Sequence, residues 1–99
     1  MEVPLVSIVI PSYNYGRFLR QTIDSALNQT YPNTEVIVVD DGSTDDSREV
    51  LAGYGERITV HLQENRGEAV AYNTGFRLSR GAIVCFLDSD DALLPTALL

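Results

Sequence analysis

Two acidic clusters in this sequence could do chemistry together. "DSDD" places Asp88, Asp90 and Asp91 within four positions, directly after an apolar run, and "DDGS" places Asp40 and Asp41 at the end of another. Carboxylates this close repel one another and are costly to bury unpaired. Oxygen-only ligands suit Mg²⁺ or Mn²⁺, which proteins bind through one or two carboxylates plus substrate phosphates. The "DSDD" cluster therefore indicates a divalent-cation site.

Local structure explains part of "DSDD". Asp90 or Asp91 could cap a helix that begins near Pro95, and Asp88 could occupy a turn at the end of its strand. These roles account for one or two carboxylates but not for all three.

The "DDGS" cluster also has a structural explanation. Gly42 at positive φ, followed by Ser43 or Thr44 as a helix cap, would form a tight turn. This explanation leaves Asp40 without a role. An acidic residue at the end of a second strand can accept hydrogen bonds from a ribose hydroxyl or a base N–H.

Two further polar segments, "PSYNYGR" and "ENRGE", contain candidate ligand-binding residues. Tyr13 could pack against a base, although Tyr13 and Tyr15 could instead be hydrophobic staples, with Asn14 capping the first helix. Arg66 could bind a diphosphate bidentately near a helix N-terminus, or could be an ordinary solvated arginine. No dinucleotide or P-loop glycine motif is present.

Composition excludes several other classes of function. The net charge of −7 argues against nucleic acid, which needs a basic surface. The single histidine, His61, is expected at the surface and leaves no zinc or Ser-His-Asp set. The single cysteine, Cys85, is expected in the core. No apolar run is long enough to span a membrane, and no signal peptide is recognisable. A cytoplasmic location is the default expectation, and a place at the inner face of the membrane stays open.

The elements that must position these residues alternate between strand and helix. Four β-branched runs at residues 5–10, 35–40, 57–62 and 82–88 predict strands. The first, second and fourth are nearly continuous apolar runs, as in strands buried on both faces, whereas the third alternates like an edge strand. Helical spacing follows at residues 18–27, 43–55 and 67–81, and the third helix is expected to bury Ala69, Tyr72, Phe76 and Ser79. Gly75 suggests close packing of that helix against a strand.

This alternation predicts an α/β, Rossmann-like fold with a mostly parallel sheet of about four strands and flanking helices. In such sheets ligands bind beyond the carboxyl ends of the strands. All four polar clusters follow the carboxyl end of a predicted strand, so they should meet at one edge. This shared edge is the strongest argument from the residues for a binding site.

Taken together, the segments "VSIVIPSYNYGRFLRQTIDSALNQTYPNTEVIVVDDGSTDDS" and "NRGEAVAYNTGFRLSRGAIVCFLDSDD" resemble family-two inverting glycosyltransferases of the GT-A fold. The resemblance covers essentially the whole chain. It implies that residues 1–99 are the donor-binding part of a longer domain, for a nucleotide diphosphate-sugar that is most often UDP-linked.

The resemblance also implies roles for individual residues. Pro11 and Tyr13 would line the base pocket, Asp40 would bind the base, and Arg66 would lie near the base or phosphates. Asp88 would meet ribose or sugar. Asp90 would bind Mg²⁺ or Mn²⁺, and Asp41 matches the second acid of the family's turn.

The family's general base and acceptor-binding segments lie downstream of "DSDD". The chain is therefore expected to be truncated at its C-terminus and to bind donor without turnover. The acceptor would be a saccharide, lipid-linked or other hydroxyl. Bared apolar residues, including Leu93, Leu94, Leu98 and Leu99, are expected to favour self-association. A non-catalytic nucleotide-sugar-binding or interaction module stays open, whereas a phosphotransferase using Asp88 as nucleophile is disfavoured because such an Asp normally follows the first strand.

Overall fold

A computed structural model describes residues 3–98 of the chain. Its strands and helices, in chain order, are β1 (Val6–Ser12), α1 (Gly16–Leu27), β2 (Thr34–Asp41), α2 (Ser47–Ala52), a short 3₁₀ turn (Gly55–Arg57), β3 (Thr59–Gln63), α3 (Glu68–Leu78) and β4 (Ile83–Phe86).

The four strands form one sheet in the order β3-β2-β1-β4, and every neighbouring pair is parallel. Ser12 lies opposite Asp40 in the β1–β2 pair, so these two strands end together. The predicted α/β, Rossmann-like parallel sheet with flanking helices is confirmed. Because all strands run the same way, their carboxyl ends share one edge, as the sequence predicted.

Two apolar clusters cover the two faces of the sheet, and the two-residue period of the strands sorts side chains between them. Even-numbered residues of β1 and β2, such as Ile8 and Val38, pack with α1 and α2. Odd-numbered residues, such as Val9 and Val39, pack with Ala71 of α3. The central strands β1 and β2 are buried on both faces because helices cover both.

Helix α3 lies close to the sheet because its inner face is made of small residues. A Cβ on Gly75 would stand 2.2 Å from Val9 Cγ1, which agrees with the predicted close packing of this glycine. The expected inner face is wrong, however, because the buried residues are Ala71, Thr74 and Gly75. The larger Phe76 is 59% exposed, since bulky side chains would hold the helix away from the strands.

The edge strands differ from expectation in burial. β3 is an edge strand as predicted, with His61 exposed, but Leu62 is also 49% exposed. β4 was expected to be buried on both faces, yet Ile83 is 55% exposed and Cys85 only partly buried. The reason is that, among residues 3–98, β4 pairs with β1 alone.

Helix α2 begins at Ser47, later than expected, with Asp46 at the N-cap position. Neither Ser43 nor Thr44 caps it, so that prediction is wrong. The Ser43 hydroxyl instead accepts a hydrogen bond from the backbone N–H of Asn14, at 2.9 Å.

The segment after Pro95 forms turns rather than the expected helix. Leu93 and Leu98 are partly buried against the core, so of the apolar residues expected to be bared, Leu94 is the exposed one, at 75%. Leu99 lies outside the described residues. No helix within the described range has the length and apolarity needed to cross a bilayer.

Candidate functional site

A cavity of about 540 Å³ opens at the carboxyl edge of the sheet, a volume typical of small-molecule sites. Residues at the carboxyl ends of β1 and β2 and in the segments that follow β1, β3 and β4 line it. The lining residues are Pro11, Ser12, Tyr13, Tyr15, Asp41, Asn65, Gly67, Glu68, Ala71, Asp88, Ser89 and Asp90. The cavity therefore brings together Pro11, Tyr13, Asp41, Asp88 and Asp90 of the residues singled out in the sequence.

One side of the cavity, here called the β2 rim, is built around Asp41, which is 4% exposed. Asp41 Oδ1 accepts hydrogen bonds from Arg66 N–H at 2.8 Å and from Gln63 Nε2 at 2.9 Å, and Oδ2 accepts one from Gly67 N–H at 3.0 Å. Burial acts to raise the pKa of Asp41, but these three donors outweigh it and lower the pKa below its ordinary value. Asp41 is thus held as a carboxylate.

The adjacent Asp40 faces the opposite side of the sheet. Because successive side chains of a strand alternate, Asp40 points toward α2 while Asp41 points toward α3. Asp40 is fully buried and does not line the cavity; its Oδ2 accepts hydrogen bonds from Ser43 N–H at 3.1 Å and Arg48 Nε at 3.5 Å. The structure places Asp41, rather than Asp40, where a ligand could reach it.

Arg66 contributes its backbone to this site. Its side chain is 65% exposed, its Nη2 lies 3.8 Å from Glu64 Oε2, and it does not line the cavity. Its N–H, by contrast, holds Asp41. The "ENRGE" segment therefore supplies backbone donors at the β2 rim.

Tyr13 and Tyr15 stand on the loop between β1 and α1 and are 44% and 42% exposed. Asn14, between them, does not cap α1: its Oδ1 accepts hydrogen bonds from Thr44 N–H at 2.7 Å and Asp45 N–H at 3.3 Å. Tyr15 occupies the N-cap position without a side-chain hydrogen bond. The loop is bonded to the β2–α2 loop instead.

The opposite side of the cavity, here called the β4 rim, consists of Asp88, Asp90 and Asp91. Each offers a carboxylate oxygen, these atoms lie within 4.8 Å of one another, and all three residues are exposed. Tyr72 OH donates to Asp88 Oδ1 at 2.9 Å. Burial, hydrogen bonds to Asp88 and Glu68 and the charges of these acids raise the pKa of the Tyr72 phenol. Tyr72 therefore remains a donor.

Helix α1 fixes the backbone of the β4 rim. Thr22 Oγ1 donates to the Ser89 carbonyl at 2.9 Å, and Leu93 N–H donates to Ser25 Oγ at 3.0 Å. Asp91 N–H closes a turn onto the Asp88 carbonyl at 3.0 Å. The carboxylates of this turn are therefore exposed, while its backbone is hydrogen-bonded to α1.

Sequence reasoning missed several cavity residues. Gly67 and Glu68 belong to the "ENRGE" segment, in which only Arg66, the one cationic residue of the segment, was predicted to bind a ligand. Gly67 has φ 99°, a conformation that favours glycine and lets its N–H point at Asp41. No sequence pattern indicated the hydrogen bond of Tyr72 to Asp88, since that bond depends on how α3 packs beside the end of β4. Other missed lining residues are Ser12, Asn65, Ala71 and Ser89.

The electrostatics of the cavity restrict what it can bind. Four acidic residues line it, Asp41, Glu68, Asp88 and Asp90, so a lone anion would be repelled. The carboxylates of the β4 rim converge closely enough to share one hard cation, and oxygen-only ligands fit Mg²⁺ or Mn²⁺. The cleft, with its tyrosines and carboxylates, lies beyond the carboxyl ends of the strands, where parallel α/β proteins bind their ligands.

The chain belongs to a family of glycosyltransferases. The profile described as "Glycosyl transferase family 2" matches residues 7–99. TuaG of Bacillus subtilis, a putative teichuronic acid biosynthesis glycosyltransferase, is 48% identical over 92 residues, which cover 89% of this chain and 36% of TuaG. The expected family is confirmed.

Solved structures agree with this assignment. S. aureus TarS in complex with UDP-GlcNAc matches with a TM-score of 0.80 and 27% identity, over 91% of this chain and 28% of that one. A mannosyltransferase from Pyrobaculum calidifontis, in complex with GDP-Man and Mn²⁺, matches with a TM-score of 0.80 and 32% identity, over 95% of this chain and 29% of that one. The four-stranded sheet corresponds to the N-terminal part of the GT-A fold. The chain spans 36% of the length of TuaG and 29% of that of uncharacterized glycosyltransferases from Nostoc and Rickettsia prowazekii that it also matches.

Proposed function

We propose that this chain is the nucleotide-sugar-binding part of a metal-dependent, inverting glycosyltransferase whose donor is UDP-linked. One observation carries the proposal: a single cavity is lined by Tyr13 and Asp41 toward the β2 rim and by Asp88 and Asp90 on the β4 rim, where their carboxylates converge with that of Asp91. The first rim suits a nucleoside, and the second suits a cation that a diphosphate can share.

Pro11 of β1 and Tyr13 of the loop that follows would contact the base, and Asp41 of the β2 rim would accept a hydrogen bond from it. A carboxylate is a pure acceptor, which matches the N–H of uracil. The lowered pKa of Asp41 supports this role, because it keeps the residue an acceptor at neutral pH. Asp40 would support the turn from the buried side. The UDP-GlcNAc complex of TarS supports the choice of uracil.

On the β4 rim, Asp90 would hold the cation, and Asp88 would meet the ribose or sugar with its geometry set by Tyr72. A bound Mg²⁺ or Mn²⁺ would supply Lewis-acid stabilisation of charge on the departing diphosphate. The Mn²⁺ complex of the Pyrobaculum mannosyltransferase supports this choice of cation. The exposed side chain of Arg66 lies outside the cavity lining, so it would have to move toward the cavity to contact the phosphates.

The proposed reaction is a single in-line displacement. The acceptor hydroxyl oxygen forms a bond to the anomeric carbon while the bond from that carbon to the diphosphate oxygen breaks. The hydroxyl proton passes to a general base, which we do not assign among the described residues. This displacement inverts the anomeric configuration.

The test is calorimetry of UDP binding to the chain, with Mn²⁺ and with EDTA. We expect Asp90→Asn, or EDTA, to weaken UDP binding by at least about tenfold, which corresponds to roughly 1.4 kcal/mol. Asp46→Asn is the matched control, because Asp46 is exposed and lies outside the cavity lining. Equal UDP affinity in EDTA, or an equal loss in the control, contradicts the metal-dependent site. Tighter binding of GDP would refute uracil while leaving a nucleotide-sugar site in place.

A further inference from the structure

The loop that carries Tyr13 and Tyr15 at the cavity is hydrogen-bonded through Asn14 and Gly16 to the loop between β2 and α2. Asn14 N–H donates to Ser43 Oγ at 2.9 Å, and Asn14 Oδ1 accepts from Thr44 N–H at 2.7 Å. Gly16 N–H donates to Asp45 Oδ2 at 3.0 Å. Asn14 is therefore bonded through both its backbone and its side chain.

The backbone of Asn14 is in an unusual conformation. Its φ of 56° makes it the one non-glycine residue at positive φ among residues 3–98. Asparagine tolerates this left-handed region better than most residues, but it is still a cost that surrounding contacts must offset. The hydrogen bonds with Ser43 and Thr44 are contacts of that kind.

The loop between β2 and α2, to which Asn14 is hydrogen-bonded, is itself anchored in the core. Ser43 N–H donates to Asp40 Oδ2, and Asp40 is fully buried. Asp45 Oδ1 accepts a hydrogen bond from Ser47 N–H at 2.9 Å, at the start of α2. Burial acts to raise the pKa of Asp45, but hydrogen bonds from Ser47 and Gly16 outweigh it and lower the pKa. Asn14 thus connects the tyrosine loop to a fixed support.

We propose that Asn14 is a positioning residue that holds Tyr13 and Tyr15 in place at the cavity before any ligand binds. Ordering a loop during binding subtracts from affinity, so a loop ordered in advance binds its ligand more tightly. The effect on nucleotide affinity rests on the function proposed above, whereas the ordering of Tyr13 does not. Asp40 then serves the site indirectly, through Ser43 and Asn14.

The experiment separates the side-chain hydrogen bonds from the backbone conformation. Asn14→Gly keeps easy access to positive φ but removes the Oδ1 acceptor, whereas Asn14→Asp keeps an acceptor. The chain is labelled with 3-fluorotyrosine, and the Tyr13 fluorine signal is assigned with Tyr13→Phe. Asn28→Gly, at the far end of α1, is the matched control.

We expect Asn14→Gly to shift or broaden the Tyr13 signal of the ligand-free chain and to weaken UDP binding in Mn²⁺ by about tenfold, as the loss of one or two hydrogen bonds would. Asn14→Asp should restore both, and Asn28→Gly should change neither. An unchanged Tyr13 signal with unchanged UDP affinity in Asn14→Gly overturns the proposal, as does lower stability with Tyr13 unaffected.

If Asn14→Gly does not fold, Ser43→Ala removes the acceptor of the Asn14 N–H and should shift the Tyr13 signal in the same direction; no shift overturns the proposal. Failure of the wild-type chain to bind UDP would refute the proposed function instead. The fluorine signal would still test Asn14, since it needs no ligand.

Discussion

The β2 and β4 rims of the cavity both present aspartates, but they treat the negative charge in different ways. Asp41 on the β2 rim is buried and receives three hydrogen bonds from the chain itself. On the β4 rim, Tyr72 donates to Asp88, while no donor from residues 3–98 reaches the carboxylates of Asp90 or Asp91. The chain thus fills most of the roughly four acceptor positions of Asp41, whereas the carboxylates of Asp90 and Asp91 stay open to a ligand.

We infer from this difference that Asp41 serves both the fold and the proposed site, whereas the exposed carboxylates of the β4 rim serve binding alone. A buried carboxylate that receives three hydrogen bonds contributes to folding stability, since its removal would leave it and its donors without these bonds. A cluster of exposed carboxylates contributes little to folding and can reduce stability through repulsion. Substitutions on the β2 rim should therefore mainly lower folding stability, whereas substitutions on the β4 rim should mainly weaken cation binding.

Replacing Asp41 should cause the largest loss of stability. Asp41→Ala leaves the N–H groups of Arg66 and Gly67 and the Gln63 amide without their acceptor, so we expect a loss of about 2–4 kcal/mol of unfolding free energy. Urea denaturation in EDTA measures it. The same substitution on the other rim, Asp90→Ala, should change stability by less than about 0.5 kcal/mol. Similar losses for both variants would break the distinction between the rims.

Acid should remove part of the Asp41 contribution. Its pKa in the folded chain is lowered from the ordinary value of 3.8, so its stabilisation is present above that value and is lost as pH falls through the folded pKa. The difference in unfolding free energy between wild type and Asp41→Ala should thus narrow as pH falls below about 4. Urea midpoints across this range measure it, and a gap that stays constant into acid would contradict the expectation.

The sequence predicted the sheet, its parallel strands and the shared edge because these follow from local periodicity. Buried β-branched runs alternating with helical spacing allow few other arrangements. It also predicted the segments that meet at the cavity. The meeting of these segments at one edge depends only on the direction of each strand, which the strand–helix alternation indicated.

The sequence did not predict which face of an element is buried, because that depends on contacts between distant segments. Asp40 and Asp41 were both candidates until the register of β2 directed one to α2 and the other to α3. The inner face of α3 followed small residues rather than large ones, because Gly75 approaches Val9. Asn14 was expected to cap a helix, but its partners lie 30 residues away.

The smallest expected effect concerns Asp91, which belongs to the β4 rim but does not line the cavity. Without a cation, Asp91→Asn removes one of three neighbouring negative charges, so we expect stability to rise slightly, by at most about 0.5 kcal/mol. Salt screens such repulsion, so the gain should shrink at high ionic strength. Thermal unfolding in EDTA at low and high salt measures this gain.

Addition of Mn²⁺ should make wild type more stable than Asp91→Asn, the reverse of the order expected in EDTA. A cation that binds only the folded chain stabilises it by an amount that grows with the logarithm of its concentration divided by its dissociation constant, and wild type offers one more carboxylate than the variant. Wild type should therefore gain more from Mn²⁺ than Asp91→Asn does, although it starts slightly less stable. If the variant remains the more stable protein at every Mn²⁺ concentration, then the charge of Asp91 is not directed at a cation, and the contrast between the rims narrows to Asp88 and Asp90.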